Sequence, residues 1–413
     1  MKHSDDLAHL AECTACRQRF TGNVVTFDSA AAARRNREDE FTATAARLER
    51  ERDASTDIVA RYLRDTPADE WARLAEMPEL RNNAALEQMS EEVRRRLHRT
   101  PREALAIANL SASIAESLPP SQYPPVVLAQ LRANAWKDRA STLRYLARYD
   151  EAIEAAERGE ESLSSFASLE HDRAIVRLVK GMALAQLERF DEAHAVLSEC
   201  RSVFRDHDDI KRYVQAGLAE ASSLYEAKRF DVAHQLCLDL LKDAIAAGDM
   251  ESQARLYNNL GYCAIRLEDY ASANIRFSEA VAKFTDLGFT AEVARTERGA
   301  GLVLVARGQV TSGLAHLREA RSAFSEAGMI EDAGLCALNI AAVLVERGER
   351  MEARALAQNV IDEFTAARMN ESAIAAVISL RDALDVDDAT AETVYTVHAL
   401  VESLREGFHD PAN

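Results

Sequence analysis

Proline is close to missing from this sequence: there are eight in 413 residues, and none between Pro125 and Pro411. Proline inside a helix removes an N–H donor and crowds the carbonyl four residues back, so its absence leaves nothing to interrupt a long series of helices. Aromatic residues are scarce too, at 6%, although 47% of the chain is hydrophobic. That balance, rich in Ala, Leu, Glu and Arg, favours helix over sheet. No run of about eighteen apolar residues occurs, which excludes a helical membrane span. The opening MKHSDDLAHLAEC lacks a basic stretch followed by an apolar core, so it does not read as a secretory signal, and a cytoplasmic protein is expected. Six cysteines in so long a chain do not make a disulfide scaffold. Positive charge is in deficit: the formal net charge of -18 repels nucleic-acid phosphates and anionic lipid, so neither nucleic acid nor membrane is an expected partner. Also missing are a Gly-rich phosphate loop, Gly-x-Ser-x-Gly, His-Glu-x2-His and a calcium loop. The chain is not expected to be an enzyme.

What is present is a repeat. The stretch from Arg255 to Phe284 reads Tyr257-x2-Leu260-Gly261, then Tyr270-x2-Ala273-x3-Phe277-x2-Ala280, followed by Gly288. The same skeleton returns at steps of forty residues. Gly261 recurs as Gly181, Ala221, Gly301 and Ala341; Ala273 as Ala193, Ala233, Gly313 and Ala353; Phe284 as Phe204, Phe324 and Phe364. Gly248, Gly288 and Gly328 punctuate one turn, and Gly308 and Gly348 the other. Self-similarity at a fixed period of this length is the mark of a solenoid. Within each unit the apolar residues keep helical spacing in two halves, Leu256, Leu260, Cys263 and Leu267 and then Ala273, Phe277, Ala280 and Phe284, so the unit is a helical hairpin. The small residues at Gly261 and Ala273 let two backbones approach, and Phe277 fills the space beside them.

This Leu-Gly and Ala-x3-Phe skeleton resembles the tetratricopeptide repeat. The period of forty exceeds the usual length of about thirty-four, and no proline closes the unit; longer relatives such as those of kinesin light chain share that length. The resemblance implies an all-α fold, a right-handed α-solenoid of about seven hairpins with a small helical region before it. The expected division is a metal-finger-like helix over 1–21, a helical connecting region over 22–80, repeats over 81–384, and a C-terminal capping helix and tail over 385–413.

Before the regular repeats, 57–64 and 68–75 read as two short helices split at Pro67, and Pro78 ends the second. Asn83 to Leu97 and Pro101 to Leu118 form a divergent hairpin, with Pro101 suited to a first helical turn. Pro119 to Pro125 is an irregular insertion. Residues 372–384 and 389–407 are expected as helices that cover the apolar end of the stack.

The first residues hold a metal-like constellation. His9, Cys13 and Cys16 stand at i, i+4 and i+7, within a fan of about 60° on a helix. Imidazole and thiolate on one face suit tetrahedral zinc, which needs a fourth ligand. His3 is the first choice for it, with Asp5 or Asp6 behind. The stretch is similar to the His-x3-Cys-x2-Cys helix of the zinc-binding anti-sigma finger. That resemblance implies zinc as cofactor, His9, Cys13 and Cys16 as ligands, and a sigma factor as partner.

In the tetratricopeptide class the first helices line the concave surface. Their inward slots fall six and three residues before the Leu-Gly glycine and one after it. Here those slots hold Arg255, Asn258 and Tyr262, then Arg295 and Arg298 one repeat on. Asn259 and Asn339, two residues before the glycine slot, match an asparagine that contacts peptide backbone in long-repeat relatives. Arginines inside an acidic protein suit a partner's carboxylates; Glu251, Glu292 and Glu297 are the competing intramolecular partners. His194 and His234, one repeat apart, read as equivalent surface positions, and Cys200, Cys237, Cys263 and Cys336 as small buried hydrophobes. The leading function is a non-catalytic scaffold for protein–protein interaction that regulates transcription through a sigma factor or another signalling partner. A sensor that binds a small peptide in the concave groove and an enzyme accessory subunit are the alternatives.

Overall fold

The computed structural model describes residues 57–406 except 98 and 387, together with 46, 47, 49 and 51. Its helices begin with α1 (Ile58–Asp65), α2 (Asn83–Arg96), α3 (Pro101–Ser117), α4 (Pro125–Tyr145) and α5 (Tyr149–Leu163). Five hairpins follow at a strict spacing of forty residues: α6–α7 (Glu170–Gln186 and Phe190–Asp206), α8–α9 (Ile210–Glu226 and Phe230–Ala246), α10–α11 (Met250–Arg266 and Tyr270–Asp286), α12–α13 (Thr290–Ala306 and Val310–Glu326) and α14–α15 (Ile330–Glu346 and Arg350–Ala366). The chain ends in α16 (Glu371–Asp385) and α17 (Ala391–Glu406). No strand occurs among the described residues. The architecture is an all-helical repeat solenoid, and no described helix is long and apolar enough to cross a membrane.

Each of the ten helices from α6 to α15 is seventeen residues long and is followed by a short turn. The turns share one geometry. After α6, Glu188 N–H donates to the Ala185 carbonyl and Arg189 N–H to that of Leu184. After α11, Gly288 and Phe289 repeat those bonds with Thr285 and Phe284. This double bond at a helix end needs a left-handed residue. Gly248, Gly288, Gly308, Gly328 and Gly348 take that conformation without a Cβ penalty, whereas Glu188, Asp208, Lys228 and Glu268 take it with one. Asp249 and Asp269 then cap the next helix, each accepting from the backbone N–H three residues on (3.1 and 3.0 Å).

The core is built on the repeated small residues. Phe277 is fully buried, and a Cβ on Gly261 would stand 2.6 Å from its ring and one on Gly299 2.8 Å. Phe277 is thus wedged between two helices that only glycine allows so close. Leu197, Leu317 and Ala357 occupy the equivalent buried place in other repeats. Phe204, Phe284, Phe324 and Phe364 form a second buried row, which supports the hairpin register expected from the sequence. Cys237 takes the Phe277 place in its repeat, and Cys200, Cys263 and Cys336 are likewise buried free thiols.

The segment before the repeats departs from expectation in one detail. Residues 68–76 wind as a 3-10 helix rather than an α-helix. Pro67 and Pro78 bracket it, and the Trp71 indole donates back to the Thr66 carbonyl at 3.0 Å. Tyr123 anchors the irregular insertion: its hydroxyl accepts from Asn83 N–H (2.9 Å) and donates to Glu51 (2.5 Å).

First helices of successive hairpins touch one another from α4 through α14, which sets them on the inner side. The end of the chain breaks that order. α16 continues the stack against α15, but α17 turns back and packs on α14. As a result every residue of α14 from Asp332 to Val345 is buried.

Candidate functional site

The inner surface is assembled from the first helices, so residues forty apart occupy neighbouring positions along it. A hollow of about 950 Å³ lies over α8 and α10, with Lys211, Gln215, Arg255 and Glu292 in its wall. A second, of about 630 Å³, extends toward α12 and α17 and includes Tyr225, Tyr262, Arg298, Ala399 and Glu402. Ser222, Asn258 and Asn259 line both, which makes them two parts of one trough.

Packing against the next repeat positions these groups. Asn258 Oδ1 accepts from the buried Thr296 hydroxyl at 3.1 Å. Tyr262 donates to the Arg295 carbonyl at 3.4 Å, and its ring meets Phe277 edge-on, 5.1 Å between centroids. α12 therefore orients both polar side chains of α10.

The arginines differ in how they are satisfied. Arg255 lies 3.1 Å from Glu251 on its own helix, an exposed pair of the kind that contributes little to stability and leaves the guanidinium accessible. Arg295 pairs with Glu292 at 3.0 Å and lies 3.8 Å from the buried Asp332. Glu297 is taken by His316 at 2.5 Å. Arg298 is left: its Nη1 is buried without a hydrogen-bond partner among the described residues. Burial pushes the guanidinium toward neutrality, but Tyr262, Glu402, Cys336 and Asp332 together outweigh it and hold the proton more firmly than usual.

Asn339 stands apart from the other named residues, because it sits on α14 and is only 5% exposed. The inner slots of α14 hold Leu335, Leu338 and Ala342, all buried in one cluster with Val394 and Val401 of α17. Sequence reasoning did not foresee that α17 closes this end of the trough. Its signal was available: polar slots in two repeats give way to apolar ones, and Val394, Val397, Val401 and Leu404 form a matching stripe. His398, on the same helix, lies 3.8 Å from Glu402. Burial lowers its pKa; Glu402 opposes that shift and Arg298 adds to it.

Cysteines in the second hollow are poor nucleophiles. Burial pushes the Cys263 thiol up to about 11 and Cys237 higher still, so neither carries thiolate at neutral pH. His194 reaches the buried Glu220 at 3.0 Å, while His234 is depressed by burial and by Arg276. Among the described residues no three His, Cys, Asp or Glu side chains converge as a metal site. His3, His9, Cys13 and Cys16 lie outside the described residues.

No protein-family model and no curated protein matches the chain. Solved structures do resemble it. The apo form of the quorum sensor NprR from B. thuringiensis aligns with a TM-score of 0.53 at 11% identity, over 83% of this chain and 99% of that one. A signal-transduction ATPase with numerous domains and a tetratricopeptide repeat sensor, from Pyrococcus horikoshii, gives 0.53 at 13% identity over 87% of this chain and 51% of that one. Aspartyl phosphate phosphatase F from Bacillus subtilis gives 0.50 at 12% identity over 80% and 97%. At such identities the likeness is one of fold, the tetratricopeptide-like helical solenoid.

Proposed function

We propose that this chain is a non-catalytic recognition protein whose inner trough holds an extended segment of a protein or peptide partner. The trough that runs unbroken across α8, α10 and α12 carries the reading. Asn258 and Asn259 offer side-chain amides, which can both donate to and accept from a peptide backbone. Arginines beside them suit carboxylates. Two of the similar folds are by name a quorum sensor and a protein with a repeat sensor, which favours a small peptide signal over a passive scaffold. A third is by name a phosphatase, but burial keeps the thiols of this trough protonated, which argues against thiol catalysis there. A sigma factor as partner, and zinc held by His9, Cys13 and Cys16 with His3, are finer parts of the proposal that rest on the N-terminal resemblance. A cytoplasmic location belongs with them, and the four buried free thiols support it.

The test compares faces. Arg255→Glu combined with Asn259→Ala alters the trough; Lys242→Ala alters α9, outside it. Capture of partner segments by the full chain should fall at least about tenfold for the first variant and stay level for the second. Equal capture by both would reject the trough as the binding surface.

A further inference from the structure

The inner slots change character along the solenoid. Ile175 and Met182 on α6 are apolar and partly open, Gln215 and Ser222 on α8 are polar, and α10 and α12 bring in arginine. Beyond that, the slots of α14 are apolar and sealed by α17. Arg298 stands at the junction of the open and sealed parts. Of the arginines in the inner slots of α10 and α12 it is the one without a carboxylate of its own: Glu251 serves Arg255, Glu292 serves Arg295, and His316 occupies Glu297. Its Nη1 is buried and unpaired, as is Nε2 of His398 on the facing helix. Glu402 of α17 lines the same hollow and acts on Arg298 through space, yet the two form no ion pair, and the Glu402 side chain stays 51% exposed. A guanidinium thus faces a hollow of about 630 Å³, with a carboxylate beside it rather than on it.

We infer that Arg298 is the carboxylate-recognition point of the trough and that Glu402 is its intramolecular placeholder, so that an acidic peptide and α17 compete for this end of the groove. This rests on the trough reading and adds to it the ligand's chemistry and its direction. The ligand is an extended peptide with an apolar residue toward α6 and a carboxylate, from a side chain or a C-terminus, at α12. A carboxylate on Arg298 repels Glu402 and takes the charge that the α17 end supplies, which loosens α17 from α14 and exposes Leu335 and Leu338. Ligand binding at one place is thereby coupled to a helix that covers another.

Three labelled, N-acetylated hexapeptides test this on the full-length chain. The first is a leucine, a run of alanines and a final glutamate closed as the amide. The second replaces that glutamate with glutamine, also as the amide. The third is a leucine followed only by alanines, with a free C-terminal carboxylate. Their affinities and the amide hydrogen exchange of Ala391–Glu406 are read together. The glutamate peptide or the free-carboxylate peptide, which separates the two sources, should bind at least about tenfold more tightly than the glutamine peptide and speed exchange in α17. Glu402→Gln should tighten acidic binding about threefold to tenfold, and Arg298→Met should erase the acidic preference. If Arg298→Met does not fold, Arg298→Lys, which keeps the charge and loses the planar fork, should reduce the preference. A preference that survives Arg298→Met, or an acidic affinity unmoved by Glu402→Gln, would overturn the inference while leaving the trough reading standing. Equal binding of all three peptides would do the same. No binding of any peptide would defeat both.

Discussion

α10 and α14 are the same element two repeats apart and have the same length, yet one is open and the other closed. α10 presents Arg255, Asn258 and Tyr262 to a hollow, whereas α14 presents Leu335, Leu338 and Ala342 to another helix. Helix length and turn bonding do not distinguish them. Three side chains do, because burying guanidinium and amide groups under a helix without partners costs more than the contact returns, while burying leucine is favourable. In this fold a site and an interface are alternative uses of one position.

The largest effect should come from attacking the closed member. Leu338→Ala removes a fully buried side chain and should destabilise the protein by about 2–5 kcal/mol, read by denaturant unfolding, with faster hydrogen exchange in α17. Arg255→Ala, its counterpart in the open member, should change stability by no more than about 0.5 kcal/mol. Similar losses at both would abolish the distinction. Ala273→Leu tests what the two share, the close approach of helices within a hairpin. Ala273 is fully buried, so overpacking it should cost about 1–3 kcal/mol, seen as a lower Tm.

Acid should act on the closed member through His398. The folded pKa of His398 lies below its unfolded value, so the neutral ring favours the docked helix. That contribution is present above the unfolded pKa and is lost as pH falls through the folded pKa. Exchange in Ala391–Glu406 should therefore quicken on acidification, and His398→Phe should flatten the response. A modest gain is expected in the turns. Lys228 holds a left-handed conformation that glycine adopts freely, so Lys228→Gly should raise stability by about 0.5–1 kcal/mol, with no change in the trough.

Much of this was legible in the sequence because repetition converts local reading into three dimensions. Once Gly261 and Phe277 were assigned to facing helices, every fortieth residue followed. The slots at Arg255, Asn258, Tyr262 and Arg298 reached the trough for the same reason. Two kinds of fact resisted. The 3-10 course of 68–76 leaves no periodic trace that separates it from a short α-helix. The return of α17 onto α14 joins segments outside the repeat rule, and its amphipathic stripe alone did not say which surface it would cover. Which arginine lacks a partner was equally hidden, since Glu251, Glu292 and Glu297 are all near in sequence and only the fold diverts Glu297 to His316.

The shared turn has a consequence for how the chain finds its register. Turns within hairpins and turns between them bear the same pair of backbone bonds and a left-handed residue, and the helices are of one length. At the level of the main chain the solenoid is therefore a twenty-residue unit repeated, with no built-in difference between inner and outer helices. A slip by one helix during folding would keep every turn intact while turning the groove inside out. What forbids it is steric memory in the side chains: Phe277 finds room only against Gly261 and Gly299, and a slip of twenty residues would put Leu241 or Val281 and Glu279 or Glu319 in their places. The glycines thus act as a proofreading code, and their substitution is expected to cost fidelity of assembly as well as stability.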